Sequence, residues 1–425
     1  MKAAGALAQA LRDAARMVAH VAAGRSLANE FNRVAEEGIE TPRAALLDLT
    51  HGTLRRYGRM QEIVRGLSRR GQPDALVEAL LWCSLYALES GRYAEYTVVD
   101  QAVRACTLLE RWTAKGYVNG LLRSYLRERG AIDARIRSIE EANYQHPRWW
   151  IHLVRAAFPQ RWEEVLAAGN THPPMTLRVN RRRVSVDDYA GRLAAAGIPA
   201  RLLGGQALLL ERALPVERLP GFEKGEVSVQ DAGAQRGALC LELAAGQRVL
   251  DACAAPGGKT AHVLETADVE LTALDVDAAR CERMVRNLER LALTATVRTA
   301  DCTRLDAWWD GRTFDRVLAD VPCSASGVAR RHPDLKWLRR ASDLQAFATR
   351  QAKILDALWQ VLAPNGKLLY VTCSVFPQEN EALVESFVTR AHNARRLPLP
   401  DGEPQQWLPG PEHDGFFYAL IQKYA

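Results

Sequence analysis

Cys323 and Cys373 are the residues of this sequence best placed to attack a substrate. A thiolate is a strong nucleophile, and its reactivity depends on where the fold puts it. Cys323 closes the run Asp320–Val321–Pro322–Cys323, and Cys373 sits in Thr372–Cys373–Ser374, in each case just past an apolar, strand-like stretch. A third stretch looks built for a ligand. Asp251 and Ala252 are followed by Cys253, Ala254, Ala255, Pro256, Gly257, Gly258, Lys259 and Thr260, small residues that let backbone approach a bound molecule where a helix begins. Asp275 and Asp301 follow at the ends of two further strand-like runs.

These residues need a frame. From about residue 236 strands and helices alternate. Strands are expected at 248–251, 271–275, 296–299, 316–320 and 367–372, with helices at 259–266 and 278–291 between them. Such alternation predicts a doubly wound, mostly parallel sheet of Rossmann-like α/β class, whose ligands sit at the carboxyl ends of the strands. Asp251, Asp275 and Asp320 would then share one rim with both cysteines. A phosphate-binding P-loop needs a glycine five positions before Gly258, where Cys253 stands, and the dinucleotide pattern G-x-G-x-x-G is absent. A nucleoside cofactor without a phosphate chain fits better, and S-adenosylmethionine is the main candidate.

The rest of the chain reads as two more modules, so the protein is expected to be multidomain. Residues 1–140 show apolar spacing of three and four, as in Leu76, Ala79, Leu80, Cys83 and Ala87, and predict an all-α bundle. Residues 141–235 predict a linker and a small α/β module, and 236–425 form the domain with the strand-end residues. Residues 1–140, 141–240 and 241–425 carry net charges of +5, +3 and −2 within an overall +6. A basic front half suits a polyanionic partner. Arg55, Arg56, Arg59, Arg65, Arg69 and Arg70 with Tyr57 form a basic cluster, read either as a solvated helix face or as a phosphate-contacting one. Arg330, Arg331, His332 and Lys336 are read as a surface basic turn or as contacts to a nucleic-acid backbone. Eight cysteines without a C-x-x-C pair predict free thiols, no zinc site and no disulfide framework. No apolar run reaches membrane-spanning length, and a cytoplasmic monomer is expected.

The motifs Asp251 to Thr260, Asp275 to Arg280, Asp320 to Gly327, Arg330 to Asp334 and Thr372 to Asn380, with Val229–Gln230–Asp231 and Asp414 to Phe417, resemble those of the RNA cytosine-5 methyltransferases. The front segment resembles a NusB-type RNA-binding domain, which marks a subfamily acting on 16S ribosomal RNA. Val321 departs from the alanine usual before Pro-Cys. The resemblance implies that Cys373 attacks C6 of a cytosine, that Cys323 assists product release and that Asp320 holds the ring. It also implies that Cys253 to Lys259, Asp275, Asp301 and Asp320 hold S-adenosylmethionine, and that no metal is needed. Sequence order leaves open the opposite assignment, with Cys323 attacking. A non-catalytic RNA-binding factor would not need both cysteines and Asp320 on one rim. A DNA-modifying relative would bring a long recognition region after the last motif.

Overall fold

The computed structural model describes residues 2–39, 41–68, 71 and 73–424, with side chains from residue 6 onward. It divides into two compact units, Met1–His172 with Ala329–Ala341, and Pro173–Val328 with Ser342–Ala425. Residues 141–172, grouped above with the small module, lie in the first unit. Among the described residues no helix is long and apolar enough to cross a membrane.

The first unit is all helical. Its centre is the helix Ala75–Ser90, in which Val77 and all of Ala79 to Leu88 are buried. A helix apolar on every side can only be a core helix. Asp74 caps it by accepting from the Leu76 and Val77 N–H groups, and Gly91 ends it in the left-handed region at φ 66°. Around it pack the amphipathic helices Lys2–Ala22, Arg43–Arg55, Tyr57–Leu67, Glu95–Leu108 and Lys115–Ile136.

Residues 329–341 complete this unit although the chain reaches them directly from the Cys323 turn. Lys336 is fully buried, and its Nζ donates to the carbonyls of Arg55 (3.2 Å) and Gln145 (2.9 Å) and to Asn170 Oδ1 (2.6 Å). Trp337 Nε1 donates to the Leu54 carbonyl at 2.9 Å, and Asp334 accepts from the Leu27 N–H at 3.0 Å. Arg330 is also buried, and its carbonyl accepts from Arg55 at 2.9 Å. Lys336 and Arg330 are therefore packing residues, neither a surface turn nor RNA contacts, because their side chains do not reach solvent.

The second unit holds two sheets. The smaller is antiparallel, ordered β2-β3-β1-β4, from β1 (Met175–Val179), β2 (Ala200–Gly204), β3 (Ala207–Leu210) and β4 (Val227–Val229). Tyr189 and Leu193 of the helix Val186–Ala195 join Leu177, Val179 and Leu208 in its core.

The larger sheet contains β5 (Arg248–Asp251), β6 (Glu270–Asp275), β7 (Thr296–Thr299), β8 (Phe314–Asp320), β9 (Leu362–Thr372), β10 (Ala394–Leu397), β11 (Gln406–Trp407) and β12 (Phe416–Lys423). Its order is β10-β12-β9-β8-β5-β6-β7, with β11 paired to β12. The strands β7, β6, β5, β8 and β9 run parallel, and β12 turns antiparallel against β9. Parallel strands are covered on both faces, which explains unbroken apolar runs such as Val317 to Ala319 and Leu368 to Val371. The order in which successive strands are added reverses beside β5, so the carboxyl ends of β5, β6, β8 and β9 open on one crevice.

Candidate active site

The strand-end rule places Asp251, Asp275, Asp320 and Cys373 along that crevice, because each ends or just follows a parallel strand. After β5 the chain turns through Ala252 to Gly257 into the helix Gly258–Thr266. Gly257 has φ 91°, and a Cβ there would come within 2.6 Å of Met284 Cγ, so only glycine fits. Ala254 N–H donates to the Leu274 carbonyl at 2.8 Å, and Ala255 N–H to Asp275 Oδ2 at 3.2 Å, which tie the loop to the end of β6. Arg178 of β1 braces the same helix: it pairs with Glu265 at 2.8 Å, both buried, and donates to the Gly258 carbonyl at 2.7 Å.

The polar side chains of the rim differ in how far the protein satisfies them. Asp251 is buried; Oδ2 accepts from Thr260 Oγ1 at 2.7 Å, while Oδ1 has no partner. Burial first, then the charge of Asp320, raises its pKa to about 7. Asp275 accepts from the Asp277 N–H at 3.0 Å through Oδ1, which leaves acceptor capacity on both oxygens. Asp301 is exposed and bound in a local turn by the Thr303 N–H (2.9 Å) and hydroxyl (2.8 Å), bonds that lower its pKa. Lys259 Nζ lies 2.6 Å from Asp320 Oδ2. Burial works against the lysine charge, and the charge and hydrogen bond of Asp320, with Cys373 nearby, more than offset it.

The two cysteines come together. Cys323 and Cys373 are 50 residues apart in the chain, and their sulfurs lie 3.4 Å apart in a hydrogen bond. Cys323 is buried, while Cys373 is half-buried. The hydrogen bond to Cys373, then burial, pushes the Cys323 thiol well above its ordinary range. Main-chain bonds hold the turns in register: Val321 N–H to the Val371 carbonyl (3.1 Å) and Gly327 N–H to the Cys373 carbonyl (2.9 Å). A Cβ on Gly327 would collide with the Gly415 carbonyl, so the turn after Cys323 also needs glycine. Cys253 lies at the edge of the loop, and its thiol is kept protonated by a hydrogen bond to Cys302 and by burial.

Sequence reasoning gave no role to Glu379, Gln351 or Ser326, nor to Arg178. Glu379, Gln351, Ser324, Ser326 and Ser374 are all buried behind the two cysteines. The available signal was the repetition of small hydroxyl residues directly after each cysteine, a pattern that core packing alone does not require.

A parallel sheet with this reversal, a small-residue loop after β5 and carboxylates on consecutive strand ends define a methyltransferase domain that uses S-adenosylmethionine. Residues 238–422 match the family described as 16S rRNA methyltransferase RsmB/F. Residues 146–217 match its ferredoxin-like domain, and residues 6–127 match the NusB family. The chain is 42% identical over 427 residues to the ribosomal RNA small subunit methyltransferase B of Pseudomonas putida, covering 97% of this chain and 98% of that one. It is 40% identical over 409 residues to the protein of that name from Vibrio cholerae, covering 94% of each. The crystal structure of PH0851 superposes with a TM-score of 0.81 over 98% of this chain and 99% of its own, at 21% identity, a likeness of fold. The chain belongs to the RsmB/F family of 16S rRNA methyltransferases and is an S-adenosylmethionine-dependent rRNA methyltransferase.

Proposed function

We propose that this enzyme methylates C5 of one cytosine in 16S ribosomal RNA through a covalent bond between Cys373 and C6 of the base. The observation that carries the reading is the sulfur pair: two thiols 3.4 Å apart at the strand-end rim, with Cys323 kept protonated. A protonated Cys323 donates to the Cys373 sulfur and stabilises a thiolate there. Cytosine C5 is a weak nucleophile. Addition of the Cys373 thiolate at C6 makes C5 enamine-like and able to take a methyl group. Asp320, beside Lys259, holds the ring edge during addition. The C5 proton then leaves to a base, the C5–C6 double bond re-forms, and the Cys373 sulfur is expelled with Cys323 hydrogen-bonded to it. The base must first be turned out of its stack or lie in a loop to reach this crevice.

The rim residues fit S-adenosylmethionine. It supplies a methyl group on a positively charged sulfonium. Asp275 and Asp320 would face it with Lys259 as the paired cation, an acidic rim that repels a phosphate chain and accepts a cation or hydroxyls. The unpartnered Oδ1 of Asp251 awaits a donor. Asp275 is assigned to the ribose hydroxyls, Cys253 to Lys259 to the body of the cofactor, and Asp301 to the adenine side.

The test compares wild type, Cys373→Ala and Cys323→Ala with labelled S-adenosylmethionine and undermodified 16S RNA, following adducts on a denaturing gel. Cys373→Ala is expected to lose methylation and adduct, and Cys323→Ala to accumulate a persistent RNA-linked species. The reverse pattern would make Cys323 the nucleophile.

A further inference from the structure

The turns that carry the two cysteines meet in a buried polar cluster that the chemistry above leaves unused. At its centre is Glu379, which has no solvent exposure. Its Oε1 accepts from the Ser324 N–H at 2.8 Å and from Gln351 Nε2 at 3.1 Å. Its Oε2 accepts from Ser374 Oγ at 2.6 Å. Ser324 is the residue after Cys323, and Ser374 the residue after Cys373, so one carboxylate grips the neighbour of each sulfur. Gln351 also donates to the Pro322 carbonyl at 2.9 Å, adding a second hold on the Cys323 turn.

The hydroxyls around Glu379 form a connected network, with Ser324 Oγ also 3.2 Å from Ser374 Oγ. Ser374 Oγ gives its single proton to Glu379 Oε2. Ser326 Oγ, 3.0 Å from Ser374 Oγ, then donates to Ser374, and Ser324 Oγ donates to Ser326 at 3.1 Å. Val375 N–H donates to Ser326 at 2.9 Å and Phe376 N–H to Ser374 at 3.0 Å, which fixes the main chain beyond Cys373. A core that needed only filling would use apolar residues here, since burying a carboxylate is expensive unless its position is required.

We propose that Glu379 is a positioning residue for methyl transfer: its carboxylate locks the two cysteine turns together and decides which sulfur attacks. The proposal rests on the reading of Cys373 as nucleophile. Charged and titratable groups face the pair from several elements: Glu379 after β9, Tyr370 on β9, and Lys259 from the helix after β5, itself paired to Asp320 at the end of β8. The charge of Glu379 acts on Cys323 and disfavours a thiolate there. Cys373 lies close enough to Lys259 to favour the charged lysine. The influence of Glu379 keeps the proton on Cys323 and leaves the attack to Cys373.

Glu379→Gln tests this with little change of volume. The amide can turn its oxygen toward Ser324 and Gln351, but its NH2 group then meets Ser374 Oγ, which already receives Phe376 N–H and Ser326. Two measurements on the full chain are needed: steady-state and single-turnover methylation of undermodified 16S RNA, and iodoacetamide alkylation of the RNA-free protein with each cysteine quantified by peptide mass spectrometry. Loosening of the sulfur geometry is expected to lower kcat about 100-fold while both KM values stay within about threefold. The ratio of Cys373 to Cys323 alkylation is expected to fall about fivefold or more. Glu379→Asp, which keeps the charge on a shorter arm, restores the alkylation ratio and only part of the rate. A folded Glu379→Gln protein with wild-type kcat and wild-type alkylation ratio overturns the proposal.

If Glu379→Gln does not fold, Ser374→Ala decides. It removes one hydroxyl, and a drop of about tenfold in kcat with a lowered alkylation ratio supports the proposal, whereas no change in either overturns it. An RNA adduct that survives Cys373→Ala overturns the functional reading instead. Loss of that adduct together with an unaltered Glu379→Gln enzyme overturns the positioning role alone.

Discussion

Lys259, half-buried within one family-like motif, and Lys336, fully buried just after another, are used in opposite ways by the two units. Lys259 faces a carboxylate, Asp320, at 2.6 Å and lies over the Phe416 ring at 5.4 Å. Lys336 faces two main-chain carbonyls and one side-chain amide oxygen, and burial pushes its pKa well down. Three acceptors and no donor around one nitrogen suit the ammonium, which has three N–H bonds to give. An ammonium paired to a carboxylate on an open rim can rebalance when a charged ligand enters. One enclosed by carbonyls joins three segments of chain, around Arg55, Gln145 and Asn170. The kind of acceptor, together with the degree of burial, distinguishes the site residue from the packing residue.

Replacing each lysine by methionine puts this contrast to the test. Lys259→Met removes the partner of Asp320 at the reacting rim, and kcat/KM is expected to fall by roughly 10²–10³-fold, the loss typical of one preorganised charge-stabilising group. Because Asp320 is partly exposed, the stability loss is expected to be the smaller of the two. Wild-type turnover in Lys259→Met would move this lysine into the packing class. Lys336→Met strands three buried acceptors, and denaturant unfolding should show a loss of about 3–5 kcal/mol. Methylation per folded molecule should stay within about twofold of wild type at low temperature. An unchanged unfolding midpoint would mean that the carbonyls find other donors.

Asp251 sharpens the contrast from the acidic side. Its pKa of about 7 means the folded protein retains a proton that the unfolded chain releases near pH 4. The folded state therefore binds more protons across this window, and stability falls as pH rises through it. The effect is about 2 kcal/mol between pH 5 and pH 7 in protein free of cofactor. Asp251→Asn abolishes the titration, so its thermal midpoint should stay flat over that range while the wild-type value declines. Parallel curves would show that Asp251 is ionised in the folded protein and meets a donor.

The rim was legible because strand ends are written in local pattern. The runs 248–251 and 296–299 are strands with the same bounds in the structure, and those at 271–275, 316–320 and 367–372 only begin earlier, at Glu270, Phe314 and Leu362. Asp251, Asp275 and Asp320 follow from a parallel sheet with no further information. Features that depend on distant partners were not legible. Nothing in Arg330 to Lys336 announces that the chain packs among the helices of the first unit, since the acceptors of Lys336 lie about 170 to 280 residues earlier. Phe416 to Ile421 is an unbroken buried run, which periodicity cannot divide between helix and strand. Glu379 lay inside a quoted motif, but its function depends on Ser324, 55 residues away.

The basic cluster of the first unit offers the smallest expected effect. Arg55 is buried, Arg56 and Arg59 pair with Glu89 at 3.0 and 2.7 Å, and Arg59 also pairs with Asp133 at 2.5 Å. Arg69 and Arg70 lie outside the described residues. Arg65 is mostly exposed and pairs with Glu62 one helical turn away at 2.5 Å. Arginines already matched to carboxylates have less to offer a phosphate, because a new contact must displace the old one. Arg65→Ala should change stability by less than about 0.5 kcal/mol. Its KM for 16S RNA should stay within about twofold, with the salt dependence of binding unaltered. A phosphate anchor behaves differently: its loss weakens binding at every sequence and lowers the salt slope by about one unit. That second result would place the RNA on the helix Tyr57–Leu67 and make this cluster, like Lys259, a group whose carboxylate partner yields to a ligand.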